Sequence, residues 1–445
     1  MRVFLSTFGC KTNQYDTALL GQALAGYGFE VAGEPGAADW VVVNTCAVTG
    51  RSEEKARQWV RKIGREHPGV SIAVVGCSVE VSAGRFSGLP GVRLLLGTEE
   101  KFRLGKLLAD LESGALELSH RDIIRLSGEV RKTEKYPGQP VLKAYPGRSR
   151  AFVKIQDGCS QRCAYCIVPF TRGPSRSRPA GQVLEEVRSL EAAGHLETVL
   201  SGIHIGRYGR DLPGGVSLAG LVASLLKGTE KVRFRLSSVE AAELEPELAS
   251  LLEREERLCR HLHVPLQHGA RSVLKRMGRH YSPGEYLEAV GPLVERIPGL
   301  GLGTDLIVGF PGETEDEFRE CVNFVEGIPF TYLHVFPFSP RPGTPAAGMG
   351  EAPPRRVVRE RVKVLREVSA RKNASFLASL AGREVPVLPE KPFSAEISSC
   401  RADNYARVYH RGKPAEACIY RVRVERTWRD GVWAQRLPAQ TGKSE

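Results

Sequence analysis

Asp157-Gly-Cys-Ser-Gln-Arg-Cys-Ala-Tyr-Cys-Ile-Val-Pro-Phe170 sets Cys159, Cys163 and Cys166 in a C-x3-C-x2-C run directly after a strand candidate at 151–156. Three thiolates this close can ligate three corners of a cubane iron–sulfur cluster, whereas a fully ligated cubane takes four cysteines. One iron is then left open to another ligand. A zinc knuckle or a set of buried free thiols are the plainer readings. Zinc sites usually close with a fourth Cys or His at short spacing, and none follows here. Working outward from this loop, strand candidates at 151–156, 198–201, 233–237, 261–265, 303–308 and 332–336 alternate with helical stretches such as 182–193 and 246–254. Repeated β-α units predict a barrel or part of one.

A second set of cysteines lies upstream. Cys10 stands in Ser6-Thr-Phe-Gly-Cys-Lys-Thr-Asn-Gln-Tyr-Asp16, Cys46 in Val43-Asn-Thr-Cys-Ala-Val-Thr49, and Cys77 in Val74-Val-Gly-Cys-Ser78. Each follows an apolar, β-branched run of the kind that forms a buried parallel strand. The carboxyl ends of parallel strands converge on one edge of an open α/β sheet, where ligand sites form. Three thiols delivered there predict a second cluster with its own open iron, set against the reading of each Cys as a small buried hydrophobe.

The chain divides accordingly. Residues 1–118 alternate strand and helix, as in a doubly wound parallel sheet. Residues 119–147 lose apolar periodicity and carry Lys132-Thr-Glu-Lys-Tyr-Pro-Gly-Gln-Pro140, which predicts a linker. Residues 148–380 hold the partial barrel and end in a basic helix at about 354–378. Residues 381–445 alternate, at 385–388, 406–410, 420–425 and 433–437, like strands of a small β-barrel.

With 445 residues and 42% hydrophobic content the chain can bury several cores. No charged-then-apolar leader opens it and no run of about 18 apolar residues appears, which predicts a cytoplasmic protein without a membrane span. Cys259, Cys321, Cys400 and Cys418 show no ligand spacing and read as buried or incidental thiols. The net charge of +12 is concentrated at the end: from Glu351 onward 20 Lys and Arg face 11 Asp and Glu. That surplus is the electrostatic footprint of a phosphate-backbone partner, or a solvated basic surface.

The cysteine loop, with Tyr165 before its third Cys, resembles the radical S-adenosylmethionine superfamily. Both triplets together resemble the methylthiotransferases within it. The resemblance continues through Arg172-Gly-Pro-Ser-Arg-Ser-Arg178, Leu200-Ser-Gly-Ile-His-Ile-Gly-Arg-Tyr-Gly209, Arg235-Leu-Ser-Ser-Val-Glu240, His261-Leu-His-Val-Pro-Leu-Gln-His-Gly269, Leu274-Lys-Arg-Met277, Thr304-Asp-Leu-Ile-Val-Gly-Phe-Pro-Gly-Glu-Thr314 and His334-Val-Phe-Pro-Phe-Ser-Pro-Arg-Pro-Gly-Thr344. It implies an incomplete, roughly six-unit barrel and an RNA-binding TRAM-like terminal barrel. It implies two [4Fe-4S] clusters: Cys159, Cys163 and Cys166 bind the one that cleaves S-adenosylmethionine to a radical, and Cys10, Cys46 and Cys77 bind the one that carries sulfur. A second S-adenosylmethionine supplies methyl. The implied partners are tRNA and an electron donor such as flavodoxin or ferredoxin, and the implied state is a monomer.

Tyr165, Gly202, Ser238, Glu240, Gln267 and Asp305, at or near strand ends, are expected around the cofactor, with the glycines of 202–209 open to an ordinary loop reading. Arg172, Arg176, Arg178 and Arg207 are expected to hold a carboxylate or phosphate, or else to be surface charge. His204, His261, His263, His268 and His334 read mostly as packed polar residues. The segments Gly9-Cys-Lys-Thr-Asn-Gln-Tyr15, Lys154-Ile-Gln-Asp-Gly-Cys159 and Ser201-Gly-Ile-His-Ile-Gly206 look most like the branch acting on N6-threonylcarbamoyladenosine in tRNA. The alternatives are N6-isopentenyladenosine in tRNA, a ribosomal-protein aspartate, and a non-enzymatic iron–sulfur RNA-binding protein.

Overall fold

The upstream apolar runs pair into one all-parallel sheet, in the order Glu30–Val31, Arg2–Thr7, Trp40–Thr45, Ser71–Gly76, Val92–Leu96, Ile124–Leu126. This is a computed structural model that describes residues 1–119, 122–145, 147–412 and 418–438; the parts of the expected linker and terminal barrel at 120–121, 146, 413–417 and 439–445 lie outside the described residues. Trp40–Thr45 is buried at every position, because helices cover both faces of the sheet. Lys11–Gly26 and Gly50–Glu66 are two of them, the second capped by Thr49, whose hydroxyl accepts from the Ser52 amide.

The sixth strand corrects the sequence reading. Ile124–Leu126 lies inside the segment expected as a linker, and that segment is strapped down further on: Gln22 Nε2 donates to the Val141 carbonyl at 2.8 Å and the Leu142 amide to Glu186 Oε2 at 2.8 Å. A three-residue edge strand is too short to produce a periodic signal, so the sequence shows only the polar residues around it.

The six expected barrel strands form at Arg150–Lys154, Glu197–Ser201, Arg233–Leu236, His261–His263, Gly301–Val308 and Tyr332–Pro337. They make two three-stranded parallel sheets joined through bridges at Phe234–Leu258 and Ser238–His263. Among the described residues the first and last strands do not pair. Helix Lys11–Gly26 of the N-terminal sheet packs against Arg150–Lys154, at the open side. Outer helices such as Pro283–Arg296 and Glu315–Gly327 begin with capping boxes at Ser282 and Thr314.

Helix Arg355–Ser379 packs on Tyr332–Pro337 and leads to a closed barrel of Glu384–Pro389, Ile397–Ala402, Arg407–Arg411, Tyr420–Trp428 and Gly431–Arg436. Ile397–Ala402 has no counterpart among the sequence expectations. Its interior side chains are Ser398, Cys400 and Ala402, small enough for a crowded barrel and too polar to read as a strand. This barrel docks at the amino ends of the larger barrel's strands. Arg233 and Arg235, gripped by Glu197, donate to the carbonyls of Pro386, Arg401, Ala402 and Asp403 at 2.7–3.2 Å. Gly301 is required at the contact, since a Cβ there would meet the Asn404 carbonyl oxygen at 2.1 Å. Among the described residues no helix is long and apolar enough to cross a membrane.

Candidate active site

Cys10, Cys46 and Cys77 end three adjacent strands at one edge of the N-terminal sheet. Gly9, at φ +126°, turns the chain so that Cys10 opens the next helix; a Cβ at Gly9 would strike Cys46 Cβ at 2.6 Å. Asn13 Nδ2 donates to the carbonyls of Phe8 and Thr45, both at 2.9 Å, and Ser78 Oγ donates to the Cys46 carbonyl at 3.0 Å. All three strand ends are thereby fixed to one another.

The loop carrying Cys159, Cys163 and Cys166 is held as firmly. Gln156 Nε2 donates to the carbonyls of Asp157 and Gly158 and to Ser175 Oγ at 2.7–2.9 Å, while its oxygen accepts from the Ile203 and His204 amides. The Cys159 amide donates to the Gly173 carbonyl at 2.9 Å, and Ala164 bonds the backbone of Met277 and Ala346 at 2.8 Å. Cys159 Sγ lies 3.5 Å from His204 Nδ1, and Arg279 Nη1 donates to Cys163 Sγ at 3.3 Å.

All six cysteines are free. Burial, then the neighbouring thiols Cys10 and Cys77, push the Cys46 thiol up to about 12, and burial pushes Cys166 up to about 12. Neither triplet brings its three sulfurs within 4.8 Å of one another. A single zinc with bonds of about 2.3 Å needs a tighter set, so both triplets fit a wider body such as a cubane cluster.

The elements that carry the two triplets pack against each other. Ala47 and Cys77 pack on Ile167 and Phe170, beyond the cysteine loop. Beside them lies a buried charge network. Arg172 donates to both Asp157 oxygens, to Asn13 Oδ1 at 2.6 Å and to Asp16 at 3.3 Å; Lys154 bridges Asp16 and Asp157, and Lys101 also binds Asp16. Burial alone would raise the Asp157 and Asp16 pKa values, but the surrounding cations hold both well below the usual carboxylate range.

This network corrects the expectation for three arginines. Arg172, Arg176 and Arg178 are 1%, 1% and 0% exposed. Arg176 pairs with Glu99 and donates to the Arg172 carbonyl, and Arg178 pairs with Glu186 beside Tyr15. Their charge joins the N-terminal sheet to the partial barrel, and each guanidinium is already paired with a carboxylate. Arg207 stays half-exposed, 3.6 Å from Glu243. Gly202 is likewise required by packing, since its Cβ would meet the Gln156 carbonyl oxygen at 2.8 Å and Ile205 at 2.7 Å.

The other expected residues gather at the carboxyl ends of the barrel strands. Tyr165 packs against the small apolar cluster of Ala164, Met277 and Phe310. Ser238 bridges to His263, and Gln267 adopts φ +70° while bonding the backbone of Asp305 and Ile307 at 2.8 Å. Glu240 pairs with Arg279. Asp305 Oδ1 accepts from His263 Nε2 at 3.0 Å and His334 Nδ1 at 3.1 Å. Sequence reasoning missed Arg279, although it stands two residues beyond the quoted Leu274–Met277 run.

Comparison with known proteins gives two family matches: the Radical SAM superfamily over residues 153–325 and Uncharacterized protein family UPF0004 over residues 2–97. The threonylcarbamoyladenosine tRNA methylthiotransferase MtaB of Bacillus subtilis is 36% identical, covering 92% of this chain and 90% of its own. Its Thermotoga maritima counterpart is 33% identical over 99% and 98%. The tRNA-2-methylthio-N(6)-dimethylallyladenosine synthase of Moorella thermoacetica is 34% identical over 95% and 96%. Among solved structures, the radical S-adenosylmethionine methyltransferase TsrM of Kitasatospora setae shares the fold, with a TM-score of 0.55 at 18% identity over 75% of this chain and 72% of that one.

Proposed function

This chain belongs to the radical S-adenosylmethionine tRNA methylthiotransferases, and from that premise we propose that it replaces C2–H with C2–SCH3 on N6-threonylcarbamoyladenosine, beside the anticodon at position 37 of tRNA. The observation that carries the reading is the pair of three-cysteine sites, each too wide for one ion, joined across Arg172. Bound at these sites, two four-iron clusters and S-adenosylmethionine would supply one-electron cleavage of S-adenosylmethionine to methionine and a radical able to take the C2 hydrogen atom, together with sulfur and methyl.

The protein's own part is placement. Cys159, Cys163 and Cys166 would hold the cluster that meets S-adenosylmethionine, and Cys10, Cys46 and Cys77 the sulfur-carrying one. Arg279 and Glu240, of opposite charge beside Cys163, match the carboxylate and amine of an amino acid. Hydrogen bonds from Gln156 fix the loop, and the Arg172 network fixes the distance between the two sites. The basic terminal barrel offers the tRNA backbone a cationic surface. A low-potential protein such as flavodoxin or ferredoxin would deliver the electrons.

The threonylcarbamoyl branch is supported by the Cys10-Lys-Thr-Asn13 and Ser201–Gly206 motifs and by the MtaB relatives. The Moorella relative favours the isopentenyl branch. Mass analysis of tRNA nucleosides from a deletion host decides between them. Loss of the 2-methylthio form with accumulation of unmethylthiolated threonylcarbamoyladenosine is expected. Loss of the isopentenyl derivative instead moves the enzyme to the other branch.

A further inference from the structure

Tyr332 and His334 of the partial barrel's last strand pack ring to ring, Tyr405 of the terminal barrel lies beside Tyr332, and Lys11 of the N-terminal sheet lies within range of Tyr405 and Asp305. We propose that they form the receptor for the carboxylate and hydroxyl of the N6 substituent, an inference that rests on the threonylcarbamoyl reading above.

The receptor is built into the strands. His263 pairs in register with Gly303, which pairs with Tyr332, and Asp305 pairs with His334. Gly303 is needed because a Cβ there would lie 2.0 Å from Tyr332 Cζ. The space lets the Tyr332 phenol cross the sheet to His261 Nε2 at 2.9 Å and His263 Nδ1 at 3.1 Å. Asp305 takes one bond from each of His263 and His334, which orients the His334 ring by its Nδ1 and leaves its Nε2 without a partner among the described residues. The His334 side chain is 54% exposed, far more than His263 at 8%.

Tyr405 enters from the terminal barrel. It adopts φ +73°, a conformation bulky side chains avoid and keep where the surroundings impose it. Its ring lies 4.6 Å from the His261 ring and 6.2 Å from Tyr332, with Arg401 and Arg235 over it at 4.9 and 5.1 Å. Lys11 enters from the N-terminal sheet, one residue after Cys10. It is half-buried, with Tyr405, Asp305, Arg235 and Arg150 the ionisable groups within range of its side chain, and among the described residues neither its ammonium nor the Tyr405 hydroxyl has a hydrogen-bond partner. Phe336, 43% exposed two residues past His334, adds an apolar wall.

An ammonium, a phenol and an imidazole edge without internal partners match a carboxylate next to a hydroxyl. An isopentenyl tail would leave all three unpaired, the arrangement that gives the strongest rejection of a wrong substrate. Arg172 cannot serve, since Asp157, Asp16 and Asn13 already occupy it. The donor atoms of His263, Asp305 and His334 also lie within 4.8 Å of one another, as a metal site requires, yet here they satisfy one another directly.

The test uses reconstituted holoenzyme and three anticodon stem-loop RNAs: one with threonylcarbamoyladenosine, one with its methyl ester, and one with isopentenyladenosine. Binding is followed by fluorescence anisotropy and turnover by mass spectrometry. Wild type should bind the acid about tenfold or more tighter than the ester. Lys11→Met and His334→Phe should erase that preference and raise KM for the acid more than they change kcat, and Tyr405→Phe, which keeps the ring, should weaken it. Variants that keep the wild-type preference overturn the receptor. So does a wild type that methylthiolates acid and ester alike, while the threonylcarbamoyl reading stands. A wild type active only on the isopentenyl RNA overturns that reading itself. One equivalent of zinc in the wild-type holoenzyme, lost in Asp305→Ala, overturns the receptor in favour of a metal site.

Discussion

Arg172 donates to Asp157 through two bonds of 2.9 Å, tying the residue two places before Cys159 to the residue six places after Cys166. The same guanidinium reaches Asn13, which holds the backbone just before Cys10 and just before Cys46. One side chain thus braces both cysteine sites. Arg172→Met should cost about 3–5 kcal/mol, because it leaves Asp157 and Asp16 buried with less positive charge. Denaturation of the holoprotein should show the loss, and iron should fall at both sites. Arg172→Lys should restore only part, since an ammonium cannot reproduce the fork. A Met variant as stable as wild type would remove the brace from the account.

Anaerobic reconstitution should give about eight irons per chain, from two four-iron clusters. Alanine at Cys159, Cys163 or Cys166 should halve the iron and abolish 5′-deoxyadenosine formation. Alanine at Cys10, Cys46 or Cys77 should also halve it, leave that cleavage detectable and stop methylthiolation. The reverse pattern would exchange the roles of the two sites.

Glu80, three residues after Cys77, carries a pH signal. Burial, followed by Glu100 and Glu99, raises its pKa to about 7 from 4.5 despite a 2.5 Å bond from the Thr98 amide. A folded-state pKa above the unfolded one means that the stability Glu80 contributes is fully present below about pH 4.5 and is lost as pH rises through 7. Glu80→Gln should therefore stabilise the protein at pH 8 by about 1–2 kcal/mol, after allowance for the part-exposed carboxylate, with the gain shrinking as pH falls toward 5. Denaturation midpoints at the two pH values check this; an equal gain at both would mean the carboxylate is already ionised.

On the terminal barrel, Arg429 lies over Phe393 and Trp428 at 4.8 and 4.9 Å, and Arg426 over Trp433 at 5.9 Å. Cations presented on aromatic faces suit both phosphates and unstacked bases. Replacing Arg426 and Arg429 with Ala should weaken tRNA binding and flatten the slope of log K against log salt by about 0.7–0.9 per lost phosphate contact. An unchanged slope would return these residues to a solvated surface.

The cysteines were legible because thiol spacing is itself the chemistry, and the strands before them because β-branched runs such as Val41–Val43 declare a buried sheet. The arginines after Cys166 were misread because sequence shows charge without its partner; Glu99 lies 77 residues and Asn13 159 residues from the arginine it binds. Tyr405 could not be read at all. Nothing in Ala402-Asp-Asn-Tyr-Ala406 signals a positive φ at a tyrosine, or a phenol directed into another domain's barrel, since both arise from docking.

The docking of Asn404 against Gly301, with Tyr405 beside it, bears on modularity. The terminal barrel would ordinarily pass for an exchangeable RNA-gripping accessory. Here one of its turns sets the Tyr405 ring against His261 of the larger barrel. A chimera that receives this module from a relative would inherit a different contact there along with a different RNA grip, so recombination at about residue 381 would shift nucleoside preference and tRNA affinity together.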